Sequence, residues 1–188
     1  MLNDLDKSLK KILASEVSAL AEERIYFDTP DEKFAPSTPA IDLFLYDVRE
    51  NRDLRSNEWQ VERHNGVVTR QPPSVRVDCS YLITAWAGDV ASEHDLLGRV
   101  MKALLRHPTL PSPVLQGSLA QQTLPLPATS LQPGRLQSMA EFWQALGGKP
   151  KATLHYTVTI SVDTHEPEEG GPPVTDKLLK FKSGAEEA

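Results

Sequence analysis

The chain has 188 residues, 39% of them apolar and 24% charged, with 26 acidic against 20 basic side chains and a formal net charge of -6. That length supports one well-filled domain with a short appendage rather than two enzymatic domains, and a pI near 5.4 argues against a basic nucleic-acid-binding surface. The lone Cys79 can form no internal disulfide, the amino terminus lacks the layout of a signal peptide, and no apolar run approaches the length of a membrane span. The expectation is therefore a protein made in a reducing compartment, with neither nucleic acid nor membrane as partner.

Fifteen prolines punctuate the chain, and the windows between them should be its elements, because proline is costly inside a helix or a central strand. Leu2, Leu5, Leu9, Ile12, Leu13, Val17 and Leu20 recur near a period of 3.6 and predict an amphipathic helix capped by Asn3 or Asp4. A short strand is expected over 24–27. Residues 41–48 are apolar on both faces and predict a strand covered on both. Residues 59–70 predict a weak hairpin turning at His64-Asn65-Gly66, and 75–85 alternate as a half-buried strand.

A helix is expected over 90–106, with Ser92 at its cap and a stop at His107-Pro108. The proline-rich 108–134 shows no helical period, and within it 122–127 reads as an edge strand or extended loop. Leu136, Met139, Phe142, Trp143 and Leu146 mark a third helix, closed by Gly147-Gly148. The clearest strand follows at 152–162. From residue 164 the composition turns to Pro, Gly and Glu, predicting a flexible acidic linker and a short sticky segment over 174–182. The fold class expected is α+β: a single domain over 1–163, with a mainly antiparallel or mixed β-sheet flanked by about three helices.

The residues offer little to catalysis. Gly117-Ser118 lacks a nucleophile-elbow setting, Cys79 falls on an apolar strand face, and the five histidines show no metal-binding spacing. Asp42 and Asp47, an odd number apart on one strand, are expected on opposite faces. No catalytic, metal or cofactor residue is assigned. The dense charge after the second strand, Arg49, Glu50, Asn51, Arg52 and Arg55, reads either as a solvated strand end or as a recognition edge whose arginines pair with carboxylates of a neighbouring subunit. The tail, with Val174, Leu178, Leu179 and Phe181, could add a strand to a partner's sheet edge.

Five stretches in order carry a resemblance: Asp4-Leu5-Asp6; Ile41 to Asn51 with Arg55-Ser56; Asp78 to Trp86; His94 to Met101; and Phe142-Trp143-Gln144-Ala145-Leu146-Gly147-Gly148. Over about residues 2–163 the chain resembles the N-terminal domain of cap, or tail terminator, proteins of extracellular contractile injection systems of the antifeeding-prophage type. The resemblance implies a phage tail-terminator-like fold and a structural role. A homohexameric ring would end the inner tube and meet the last sheath ring, with the tube protein and the sheath protein as partners and no cofactor. Synthesis in the bacterial cytoplasm and a place at the distal end of the particle go with it. The candidate interface is then Arg49, Glu50, Asn51, Arg52 and Arg55, the candidate sheath-docking tail is Val174, Leu178, Leu179 and Phe181, and the 108–134 stretch is expected to hold further ring or tube contacts. The alternatives are a tail completion protein of a contractile phage, an assembly chaperone of the particle and, far behind, a small hydrolase.

The tail from Thr164 carries six acidic residues and three lysines, a net of -3, so the remaining 163 residues also carry only -3. A nearly neutral body suits packing against copies of itself.

Overall fold

The computed structural model describes residues 1–18, 20–64, 67–132, 136 and 138–169, and of Arg63 and His64 the backbone alone. In chain order the elements are α1 (Leu2–Glu16), β1 (Ile25–Tyr26), β2 (Ala40–Glu50), β3 (Gln60–His64), β4 (Val67–Gln71), β5 (Val75–Trp86), α2 (Val90–Arg106), β6 (Ala128–Ser130), α3 (Met139–Leu146), β7 (Thr153–Val162) and β8 (Glu168–Glu169), with short 3-10 turns between some of them. Three helices and a mixed sheet are the α+β fold expected. Contacts group the residues into two compact units, 1–55 with 75–162, and 56–74 with the residues from 163.

The larger unit is built on a five-stranded sheet of order β1-β2-β5-β7-β6. β1 runs parallel to β2 and every other pairing is antiparallel. The apolar stripes of α1 and α2, including Leu5, Leu9, Ile12, Leu97, Val100 and Leu104, form one core with Ile41, Leu43, Tyr81, Ile83, Val158 and Ile160 on the first sheet face. Each such side chain contributes roughly 2 kcal/mol by leaving water. Cys79 lies in this core, where burial pushes its thiol up to about 12 and keeps it protonated. α1 ends at Glu16, short of Leu20, yet Val17 and Leu20 still bury in the same core through a turn. That is why the periodicity runs past the helix.

The second face differs from the sequence expectation. From Cys79 to Ala85 β5 is buried on both faces, because Phe142 of α3, with Trp143 packed on it, closes over Phe44, and Phe34 packs on Trp86. Of its alternating polar residues Arg76 and Ser80 are buried and Asp78 is half-buried. Arg76 donates to Ser161 at 2.7 Å, Thr159 donates to Asp78 at 2.7 Å, and Ser80 lies 3.1 Å from Thr157. Each pair is directly opposite in the β5–β7 register.

α1 starts at Leu2 with no side-chain cap, so Asn3 and Asp4 lie inside the helix rather than capping it, whereas α2 and α3 follow ordinary capping chemistry. Asp89, not Ser92, caps α2 by accepting the Ser92 N–H, and Ser138 caps α3 through the Glu141 N–H, which moves its start from Leu136 to Met139. Gly147 closes α3 in the left-handed conformation, at φ 67°.

The smaller unit holds the hairpin β3–β4, with β8 added beside β4 at Thr69 and Arg70. The hairpin expected over 59–70 is present; its turn lies outside the described residues. Glu168 and Glu169, in the stretch read as linker, are thus strand-paired. Trp59 is 51% exposed, with the Arg70 guanidinium 5.4 Å from its ring centre.

One group on the second face generates a prediction. Asp42 is fully buried, its Oδ1 accepts the Asp28 N–H at 3.0 Å, and its Oδ2 meets no donor. Burial outweighs that hydrogen bond and pushes the carboxyl up to about 7, against about 3.9 in an unfolded chain. The folded state therefore holds a proton that the unfolded state has lost. The contribution to stability is complete below about pH 4 and is lost progressively as the pH rises to about 7, on the order of 4 kcal/mol in all. The melting temperature should fall between about pH 4 and about pH 7, and Asp42→Asn, which cannot ionise, should flatten that fall. Parallel curves for the two proteins would contradict this.

Candidate interaction site

The charged run follows directly from an irregularity in β2. The register with β5 runs Asp42↔Thr84, Phe44↔Leu82 and Leu45↔Tyr81, then resumes at Asp47↔Ser80 and Arg49↔Asp78, with Tyr46 left over as a bulge. One extra residue reverses the alternation of faces. Asp42 and Asp47 therefore share a face, contrary to the parity expected from their spacing. The bulge brings Asp47 and Arg49 onto the face of Asp78.

Beyond the bulge the strand leaves the core and four of its charges pair within the chain. Arg49 Nε donates to Asp47 Oδ2 at 2.5 Å, and the Asp47 carboxylate raises the affinity of this guanidinium for its proton. Arg55 forks the Glu50 carboxylate, with Nε 2.7 Å from Oε1 and Nη2 on Oε2. That fork holds Glu50 below the usual carboxylate range and raises Arg55.

Asn51 latches the loop that carries these groups. Its backbone N–H donates to the Arg76 carbonyl at 2.8 Å, its Nδ2 donates to Asp78 Oδ1 at 2.9 Å, and its Oδ1 accepts the Leu54 N–H at 3.1 Å. Because Thr159 also donates to Asp78, the end of β2 is tied across β5 to β7. The result is a cleft of about 590 Å³ lined by Asp47, Arg49, Glu50, Asn51, Arg52, Asp53 and Asp78.

The structure thus brings four of the five predicted residues, Arg49, Glu50, Asn51 and Arg52, into one cleft, with Arg55 bonded to its rim through Glu50. It also supplies Arg49 and Arg55 with carboxylates of their own chain. Sequence reasoning missed Asp78, which looked like one more polar position of an alternating strand; only the β2–β5 register places it against Asn51. The tail residues Val174, Leu178, Leu179 and Phe181 lie outside the described residues. Among the described residues no group of three or more His, Cys, Asp or Glu could hold a metal ion, and no helix is long and apolar enough to cross a membrane.

The cleft and the sheet that carries it can be set beside known proteins. Residues 4–176 match the model of the Pvc16 N-terminal domain family. The chain belongs to this family. This Pvc16 N-terminal domain is also similar to two structures solved by cryo-EM. One is a PVC sheath/tube terminator of an extracellular contractile injection system in the extended state, at 25% identity and a TM-score of 0.74, with 100% of this chain matched to 65% of that one. The other is the tube-terminating cap of the anti-feeding prophage, at 27% identity and a TM-score of 0.67, with 96% of this chain matched to 62% of that one. The chain therefore spans a little under two thirds of the length of either. No curated protein sequence matches it.

The latch makes a prediction. Asn51→Ala removes two side-chain hydrogen bonds at once and should cost about 1–2 kcal/mol in denaturant unfolding. Amide exchange at Leu54 should quicken relative to the β5 amides, whereas unchanged exchange there would show that Asn51 does not hold the loop.

Proposed function

We propose that this chain is the subunit of a cap ring that ends the inner tube of a contractile injection system and meets its last sheath layer. The carrying observation is the likeness, over the full length of the chain, to a sheath/tube terminator of an extracellular contractile injection system, with the anti-feeding prophage cap agreeing. The role is structural and needs no turnover. A ring subunit requires charged and apolar contact surfaces on a rigid frame, which is the kind of site the end of β2 offers.

In this reading the ring is a homohexamer made in the bacterial cytoplasm and carried at the distal end of the particle. Arg49, Glu50, Asn51, Arg52 and Arg55 line its contact with a neighbouring subunit or the tube. Val174, Leu178, Leu179 and Phe181 dock on the sheath by adding a strand to an open sheet edge.

Arg49→Glu with Arg55→Glu would turn two internal ion pairs into clusters of carboxylates and spring the loop open. Particles assembled with this double variant should be uncapped or overlong by electron microscopy, and normal tube lengths would remove the charged run from the contact. Deleting residues 170–188, which leaves β8 intact, should give capped tubes with detached sheath. Retained sheath would count against the tail as the docking segment.

A further inference from the structure

The five-stranded sheet ends differently at its two margins. On one side β1 flanks β2 only at Ile41 and Asp42, so among the described residues no strand covers the outer side of Leu43–Glu50. Val48 and, just beyond the strand, Leu54 are each 47% exposed there. On the other side the sheet closes with β6 and with the segment 108–110, which bridges back to 126–128. Leu124 is 39% and Leu131 49% exposed on this side.

The second margin has a further peculiarity. Residues 108–132 contain no Asp, Glu, Lys or Arg, in a chain that is 24% charged. Depletion of charge with retained apolar exposure is what the centre of a protein contact shows. The first margin is charged but near balance: Asp47 is paired with Arg49 and Glu50 with Arg55, and the exposed Arg52 and Asp53 add one charge of each sign.

We propose that the β2 margin of one copy seats against the uncharged 122–132 margin of the next. This rests on the ring reading above and supplies its geometry. A closed ring built head to tail needs two different, mutually complementary surfaces on every subunit, and the opposite ends of one sheet provide them. The charges agree with the pairing: the Asp47–Arg49 and Glu50–Arg55 pairs meet a surface that brings no charge, so closing the seam separates neither pair, while Arg52 and Asp53 stay hydrated at its rim. Each side contributes two exposed apolar side chains to the middle of the contact.

The test uses Val48→Lys and Leu131→Glu, made separately in the full chain. Both positions are about half exposed, so melting temperatures should match wild type. In either variant alone every seam carries one unpartnered charge, and ring formation read by native mass spectrometry should weaken on the order of tenfold or more. An equimolar mixture of the two should recover rings. In an alternating ring half the seams place Lys against Glu and the other half are wild type, a rescue that neither misfolding nor a two-fold interface would give. Rings unchanged in both single variants, or no recovery on mixing the folded variants, overturn the seam. In wild type, amide exchange at 43–49 and 128–132 should slow on assembly, and no slowing at either margin overturns it independently. A wild-type chain that forms no ring, alone or on tube ends, would instead sink the ring reading.

Discussion

The structure depends on β5 being paired on both sides and, from Cys79 to Ala85, buried on both faces. A central strand in that position has no solvent to satisfy its backbone, so its register with β2 and β7 must be complete. One face is settled by burying aliphatic and aromatic side chains under α1 and α2. The other carries Arg76, Asp78 and Ser80, which burial would leave at a cost of kilocalories each if unpaired. Ser161, Thr159 and Thr157 sit directly opposite them and accept that burden. Asp78 Oδ1, which accepts from Thr159, also accepts from Asn51, and through Asn51 it holds the loop that bears the arginines. The charged site is thus an extension of the polar ladder inside the sheet.

The bulge at Tyr46 is the second half of this arrangement. Were β2 regular, Asp47 and Arg49 would lie on the helix-bearing face and Glu50 on the other. With the bulge, Asp47 and Arg49 join Asp78, while Val48 and Glu50 continue the face of Cys79 and Val77. Since the strand here has passed the helices, both faces are partly wet, and pairing Glu50 with Arg55 costs little desolvation. The same irregularity bends and twists an edge strand, which discourages indiscriminate strand addition along Leu43–Glu50.

Much of the fold was legible in the sequence because the elements are separated by prolines and keep clean periods. The three helices, the strands near 41–48, 75–85 and 152–162, and the hairpin were all foreshadowed by local pattern. What was not legible depends on pairing between distant residues. The alternation of Arg76, Asp78 and Ser80 with apolar neighbours looks the same whether the polar face meets water or meets Thr157, Thr159 and Ser161. The bulge leaves no mark in composition, so strand parity misplaced Asp47 relative to Asp42. The charged run was visible as a run, but its internal pairing was not, because Arg55 reaches Glu50 only after the loop has folded back. The 108–121 stretch is ordered by contacts no periodicity reports: Lys11 donates to the Pro113 carbonyl at 2.8 Å, Ser8 Oγ accepts the Gln116 N–H at 3.0 Å, and Asp4 binds Ser118.

These contacts also bear on how an uncharged surface segment stays in place. Residues 108–121 have no ion pair of their own to offer, and their prolines remove backbone donors. They are fixed instead by polar side chains reaching out from α1, with Arg76 Nη2 on the Pro125 carbonyl at 2.9 Å and Gln122 bonded to both backbone groups of Ser161 holding the continuation. The anchoring charge thus belongs to neighbouring elements and points inward, while the segment shows the outside an apolar, neutral margin. Gly117 makes this possible at one point, since a Cβ there would lie 2.5 Å from the Asp4 carboxylate. Asp4, drawn down to about 2 chiefly by the amino terminus and Ser118, stays ionised well below neutral pH, so the anchor does not loosen there by protonation. Rigidity without surface charge lowers the ordering cost of a contact. It is the combination that the proposed seam asks of this margin.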